Sequence, residues 1–145
     1  MAMAIFRRKL DNTTYKDWKV ASAGTWAREG HPAPEYGRRL MASIGMDISR
    51  HRSRIVTAAL LDSADLILTM EQGHKEALRA EFPRAARRVH MLSEMIGYEQ
   101  NIQDPYGAGI EEWRETAKEI GMYIEKGFER IVALAQEGAQ ERNQS

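Results

Sequence analysis

The chain of 145 residues contains no cysteine. Disulfides, thiolate metal sites, cysteine nucleophiles and thiol redox chemistry are thereby excluded within it. Charge of one sign is not in excess either: 21 Lys and Arg balance 21 Asp and Glu. The basic residues are scattered apart from short pairs such as Arg7-Arg8 and Arg87-Arg88, so no stripe suits a nucleic-acid backbone. Long hydrophobic runs are also missing, and none approaches the roughly 18 residues of a membrane span. In residues 1–10 the basic Arg7, Arg8 and Lys9 follow the apolar residues, the reverse of a secretory signal. These absences lead us to expect a cytoplasmic protein without nucleic-acid or membrane partners, and they leave the oligomeric state open.

What is present alternates. Ala2, Ile5, Phe6 and Leu10 stand at helical spacing. Residues 18–24 read as a short strand ending in glycine, and residues 34–44 as a helix closed by Gly45. Leu60, Leu61 and Ala64 suggest a helical turn, and residues 65–70 a strand buried on both faces. A helix over residues 71–82 stops at Pro83, and residues 88–92 read as another strand. Asp104-Pro105-Tyr106-Gly107 is a loop signal. Ile110, Trp113, Ala117, Ile120, Ile124, Phe128, Ile131 and Leu134 then step by three or four along a last helix of about seven turns. This order specifies an α/β, three-layer domain with a parallel sheet. Residues 1–136 form that domain, and residues 137–145 are a polar tail expected to fray.

Five blocks stand in order along residues 20–131: Ser22-Ala23-Gly24-Thr25, Gly30-His31-Pro32-Ala33, His51-Arg52-Ser53-Arg54, Ala64-Asp65-Leu66-Ile67-Leu68-Thr69-Met70 and Asp104-Pro105-Tyr106-Gly107. In them the chain resembles low-molecular-weight protein-tyrosine phosphatases. The resemblance implies a four-stranded sheet whose central first strand runs into a phosphate-binding loop, C-x-x-x-x-x-R followed by Ser or Thr and Pro. The helix after that loop commonly reads like M-A-E-A-x-F, and Met1-Ala2-Met3-Ala4-Ile5-Phe6 is similar to it. The chain is therefore expected to begin just past the loop, as a domain truncated at its N-terminus without its central strand.

The same resemblance implies a mechanism. Backbone N–H groups at a helix N-terminus, with the loop arginine, hold the phosphate and lower the cysteine pKa. The thiolate forms a phosphocysteine while an aspartic acid protonates the leaving oxygen and then helps water hydrolyse the intermediate. Asp104 matches the general acid, Ser22 and His51 the residues supporting the loop, and Trp26 and Tyr106 the walls of the substrate cleft. No cofactor or metal is implied, the nucleophile has no counterpart in this chain, and the partner is a phosphorylated protein. Each residue also has a plainer reading. Asp104-Pro105 opens a turn, Ser22 ends a strand, His51 bonds a carbonyl, and the two aromatics pack. His31, His74 and His90 show no metal-site spacing and read as surface or capping residues. Arg7-Arg8-Lys9 reads as a solvated helix face, and Arg52 and Arg54 as ion-pair partners.

Among rival functions, thiol-dependent arsenate reductase needs further cysteines that the chain does not have. The block from Gly109 to Thr116 also resembles bacterial protein-arginine phosphatases, so the substrate class stays open. A non-catalytic pseudophosphatase that binds a partner would share this sequence with a truncated gene or one whose start codon is misplaced. Truncation or a misplaced start is favoured on energy: three or four buried apolar side chains of a central strand, at roughly 1.5–3 kcal/mol each, equal a domain's net stability of about 5–15 kcal/mol. The in-frame nucleotides before Met1 are accordingly expected to encode an apolar strand followed by C-x-x-x-x-x-R-S/T-P. A stop codon there, with no such motif upstream, would overturn the misplaced start and leave true truncation or a pseudophosphatase.

Overall fold

A computed structural model describes residues 1–24 and 29–144. Trp26 therefore lies outside the described residues. Two compact units are present, Met1–Ile55 with Asp104–Gly121 and Val56–Gln103 with Met122–Ser145.

In the first unit α1 spans Ala2–Asp11 and α2 spans Glu35–Ser43. Alanine, methionine and arginine give α1 strong helix formers, and Leu10 is its fully buried residue. Pro34 precedes the first turn of α2, and Gly45, at φ 84°, follows its end, where a left-handed residue suits glycine. Leu40 and Met41 of α2 pack with Trp113, and Ile5, Met46 and Ile48 lean on them. Gly24 bridges Ile55 in parallel and Pro32 bridges Arg52 in antiparallel fashion.

In the second unit the Thr57 hydroxyl accepts the Leu60 N–H at 3.1 Å and so caps α3, Ala58–Asp62. Next come β1 (Ile67–Thr69), α4 (Gln72–Glu81), a 3-10 turn (Ala86–Arg88), β2 (Val89–Met91) and a second 3-10 turn (Leu92–Ile96). β1 and β2 pair in parallel, with Ile67 opposite Val89, Leu68 opposite His90 and Thr69 opposite Met91. Leu61, Leu78, Ala85 and Val89 form the core beside the sheet, joined by Val56, Ile67 and Phe82. α5 runs over Ile110–Gln144, with residues 110–121 in the first unit and 122–144 in the second. The expected apolar stripe buries Trp113, Ile120, Ile124 and Ile131, and Tyr123, Val132 and Ala135 join them. Among the described residues no helix is long and apolar enough to cross a membrane.

The mixture of helices with a parallel pair of strands is the expected α/β class, but four local expectations change. Residues 18–24 form no strand. A strand exists only by pairing, and here the segment is held from the side: Arg7 donates to the carbonyls of Trp18 and Lys16, the latter at 2.7 Å. Arg7 and Arg8 do more than line a solvated face: the exposed Arg8 also donates to the Ile44 carbonyl at 2.7 Å, just past the end of α2. β1 is shorter than expected and not buried on both faces. Thr69 is buried, while Ile67 and Leu68 are half-buried, as suits a strand with one neighbour among the described residues. Residues 137–144 are helical rather than frayed. Arg142 donates to the Asp62 carbonyl at 2.9 Å and pairs with the Asp65 carboxylate. Gly138 packs with the Asp65 carbonyl where a side chain would begin.

Two glycines of α5 should respond oppositely to alanine. Gly121 has open space where a side chain would begin, with nothing within 4 Å, so Gly121→Ala should stabilise by about 0.5–1 kcal/mol. Gly138→Ala drives a methyl into the Asp65 backbone and should lower Tm despite the same gain in propensity. Thermal unfolding of both variants checks this, and equal stabilisation by the two would show that the end of α5 does not pack on Asp65.

Candidate functional site

The first turn of α1 has no side-chain N-cap and no acidic residue. Its leading N–H groups are thus without the usual local acceptors. Beside it lies a cavity of about 350 Å³ lined by Met3, Ser22, Glu29, Gly30, His51, Arg52, Ser53 and Arg54. Two stretches of chain form its wall and are laced together. Gly24 N–H donates to the Arg54 carbonyl at 3.0 Å, Gly30 N–H to the Ser53 carbonyl at 2.8 Å, and Ser53 N–H to the His31 carbonyl at 2.7 Å. Side chains add to the lacing. The Ser53 hydroxyl accepts the His31 N–H at 3.1 Å, and a Glu29 carboxylate oxygen accepts the Ile55 N–H at 2.5 Å.

Ser22 and His51, singled out from sequence, share this cavity. Arg54 also reaches Ser22, its Nε donating to the Ser22 carbonyl at 3.3 Å. Arg52 donates to the carbonyls of Ser49 and His51 at 3.0 and 2.8 Å. The expected ion-pair role of these arginines thus gives way to bonds with the main chain. Burial, and then the positive charges of the α1 amino end, Arg54 and Arg52, push the His51 pKa below its ordinary value.

Asp104 faces the same end of α1. Burial pushes the Met1 amino group's pKa down, and the Asp104 charge opposes that. One Asp104 oxygen, Oδ1, accepts the Tyr106 N–H at 3.0 Å, so the plain turn reading of Asp104-Pro105 is realised. Gly107, at φ 83°, and the Ala108 N–H to Pro105 carbonyl bond of 2.9 Å complete the loop. The Tyr106 side chain is 77% exposed. The structure therefore gathers Ser22, His51 and Asp104 around one helix end and leaves Tyr106 at the surface. Among the described residues no group of His, Asp and Glu could hold a metal ion.

Sequence reasoning overlooked Glu29, Arg52, Ser53 and Arg54 as cavity residues. A signal existed for part of this: in an extended run alternate side chains share a face, so the spacing of Arg52 and Arg54 places two cations on one side of the segment that carries His51.

Residues 1–138 match the family described as low molecular weight phosphotyrosine protein phosphatase. A probable low molecular weight protein-tyrosine-phosphatase, EpsP, from Ralstonia nicotianae is 34% identical over 92% of this chain and 88% of its own length. The crystal structure of the low molecular weight protein tyrosine phosphatase from T. tengcongensis superposes with TM-score 0.82 at 36% identity, over 89% of this chain and 88% of that one. The YwlE arginine phosphatase from Geobacillus stearothermophilus superposes with TM-score 0.82 at 28% identity, over 94% and 86%.

The electrostatics of the cavity can be read on one imidazole. His51 should titrate below the ordinary value of about 6.5, and Arg54→Gln should move it upward without restoring it fully, because burial is the leading cause. Imidazole resonances followed by NMR across pH 4–9 would report both. A His51 pKa unchanged by Arg54→Gln would remove Arg54 from the field that acts on it.

Proposed function

The chain belongs to the low molecular weight phosphotyrosine protein phosphatase family, and from that premise we propose that it is the body of a cytoplasmic phosphomonoester hydrolase acting on a phosphorylated protein. In this reading Asp104 is the general acid, Ser22 and His51 support the phosphate-binding loop, and Trp26 and Tyr106 wall the cleft. The 145 residues alone do not catalyse, because they contain no thiol to form the phosphocysteine. The observation that carries the reading is the convergence of Ser22, His51 and Asp104 on the first turn of α1. That turn offers orphan N–H donors and the positive end of a helix dipole, where an anion is favoured.

A second reading, hydrolysis of phosphoarginine, is supported by the likeness to the arginine phosphatase of G. stearothermophilus. Both substrates need the same acid, since each leaves with a heteroatom that must take a proton. A pseudophosphatase that binds a partner without catalysis is the remaining alternative, supported by the absence of cysteine alone.

One experiment tests the roles together. The 145-residue chain should hydrolyse no aryl phosphate and gain no Tm from vanadate: one helix end without the loop's ring of N–H groups and its arginine is too weak a site, and stabilisation requires preferential binding to the folded state. Placing a family-type strand and cysteine loop before Met1 should bring turnover. In that fusion Asp104→Asn should slow poor leaving groups by about 10²–10⁴-fold while sparing good ones, because only a basic leaving oxygen needs the proton in the transition state. Equal slowing of both would remove Asp104 from the acid role. A fusion that folds and binds phosphate but never turns over any phosphorylated substrate would favour the pseudophosphatase.

A further inference from the structure

Two charged contacts fasten α4 to β2, and they bracket one histidine. On one side of it Arg79 donates through Nε and Nη2 to the Val89 carbonyl, at 3.1 and 2.6 Å. On the other side the Met91 N–H donates to Glu94 Oε2 at 2.5 Å, and Glu94 Oε1 takes Lys75 Nζ at 2.6 Å. Lys75 and Arg79 are four residues apart in α4, on one face. The Lys75 and Glu94 side chains are only 14% and 20% exposed, so solvent screens this pair less than a surface bridge. The residue between the two contacts is His90.

The surroundings of His90 are unfavourable to a second charge. Its partner across the sheet is the apolar Leu68. The charged groups whose fields act on it are Lys75 and Arg79 on α4, Glu94 in the turn Leu92–Ile96, and Arg130 on α5. They comprise three cations and a single carboxylate, and that carboxylate is already engaged by Lys75 and the Met91 N–H. His90 is thus neither a surface residue nor a cap, as the sequence suggested, but a half-buried group in the middle of a fastening.

We infer that this fastening is an acid-released latch, in which a proton on His90 competes with Lys75 for Glu94 and repels the cations that tie α4 to β2. Burial, followed by Arg79, Lys75 and Arg130, pushes the His90 pKa down, while Glu94 pulls it up. The folded value therefore lies below the unfolded one. Between the two the unfolded chain holds more protons, so the stability owed to neutral His90 is complete above about pH 6.5 and is lost as pH falls through the folded value. Glu94 does not titrate in the same window. Burial pushes its pKa up, but the bonds from Lys75 and from the Met91 N–H more than offset this and hold it below the ordinary carboxylate value. On acidification the imidazole changes first, with Glu94 still charged.

The latch controls more than α4. The Ser93 hydroxyl in the same turn accepts the Gln100 N–H at 3.1 Å, the Ser93 carbonyl accepts the Tyr98 N–H at 3.2 Å, and Tyr123 donates to Gln100 at 3.2 Å. Loosening Leu92–Ile96 therefore releases residues 97–103, the stretch that leads along the chain to Asp104.

The test uses the 145-residue protein and needs no activity. Amide exchange and histidine resonances are followed by NMR from pH 7.5 to 5. In the wild type the Met91 amide should lose protection as pH falls from about 6.5 to the His90 midpoint, about tenfold in all for each unit by which the His90 pKa lies below the ordinary value, and level off below it, while amides of α2 keep theirs. His90→Asn, which cannot titrate, should show flat protection at Met91, and Glu94→Gln should show low protection at every pH. Should His90→Asn fail to fold, the wild-type titration decides alone: His90 titrating at or above the ordinary value, or Met91 protection constant between about pH 6.5 and the His90 midpoint, overturns the latch. So does an identical pH dependence in wild type and His90→Asn.

Discussion

Guanidinium groups bonded to main-chain carbonyls tie together separated segments of this chain, most of them outside the sheet ladder. In the first unit Arg7 holds Trp18 and Lys16, Arg8 holds Ile44, and Arg54 holds Ser22. In the second, Arg79 holds Val89, Arg88 holds Leu61 and Ala64, and Arg142 holds Asp62. The named strands are three residues each, so much of the extended and turning backbone has carbonyls that no neighbouring strand satisfies. At the buried Arg88 a carbonyl left without a donor would cost about 1–3 kcal/mol, whereas the exposed bonds of Arg8, Arg54 and Arg142 contribute less because water can replace them. Arginine suits this task because its planar fork can reach two carbonyls at once and stays charged at any working pH. Arg88 shows the extreme: it is 5% exposed, and its bonds go to the carbonyls of Leu61 and Ala64 around the end of α3, where the helix dipole favours a cation.

The candidate site inherits its shape from the same kind of bond. Arg54 fixes the carbonyl of Ser22, and the Glu29 carboxylate fixes the N–H of Ile55 from the opposite direction. The cavity wall is therefore set by main-chain bonds, while burial first, and then the neighbouring positive charges, depress the basicity of His51. A neutral His51 can donate through one ring nitrogen and accept through the other. That is what a residue supporting a loop of backbone amides and carbonyls requires, and an imidazolium, which only donates, would lose half of it.

The helices are legible in the sequence because their signals are local. Apolar spacing, Pro83, Gly45 and the loop at Asp104 place α2, α4 and α5 within a residue or two of their starts or ends, and α1 follows from Ala2, Ile5, Phe6 and Leu10. The strands are less so. Residues 18–24 have a strand's composition but no ladder, and pairing is a property of the neighbour rather than of the segment. The arginines escape sequence reading for a related reason. A guanidinium that seeks a carboxylate leaves a charge pattern in the sequence, but one that seeks a carbonyl leaves none, since every residue has one. Arg8 finds its partner 36 residues away and Arg142 finds Asp62 at 80. His90 reads as a surface residue because its half-burial follows from the packing of β2 with β1 and α4, which no local pattern announces.

Asp104 joins the two readings that the sequence set against each other. As a turn residue it uses Oδ1 to accept the Tyr106 N–H, and this bond fixes the plane of the carboxyl group relative to the loop. A carboxyl has a second oxygen. In the role proposed for Asp104 the acid must carry its proton before the leaving oxygen departs, and an N–H donor at Oδ1 leaves Oδ2 as the position for that proton, because the oxygen already accepting a hydrogen bond is the poorer place for a hydrogen that must point elsewhere. The turn and the proposed role are therefore compatible: the Tyr106 N–H occupies Oδ1, and Oδ2 is the oxygen that the proposed acid role would use.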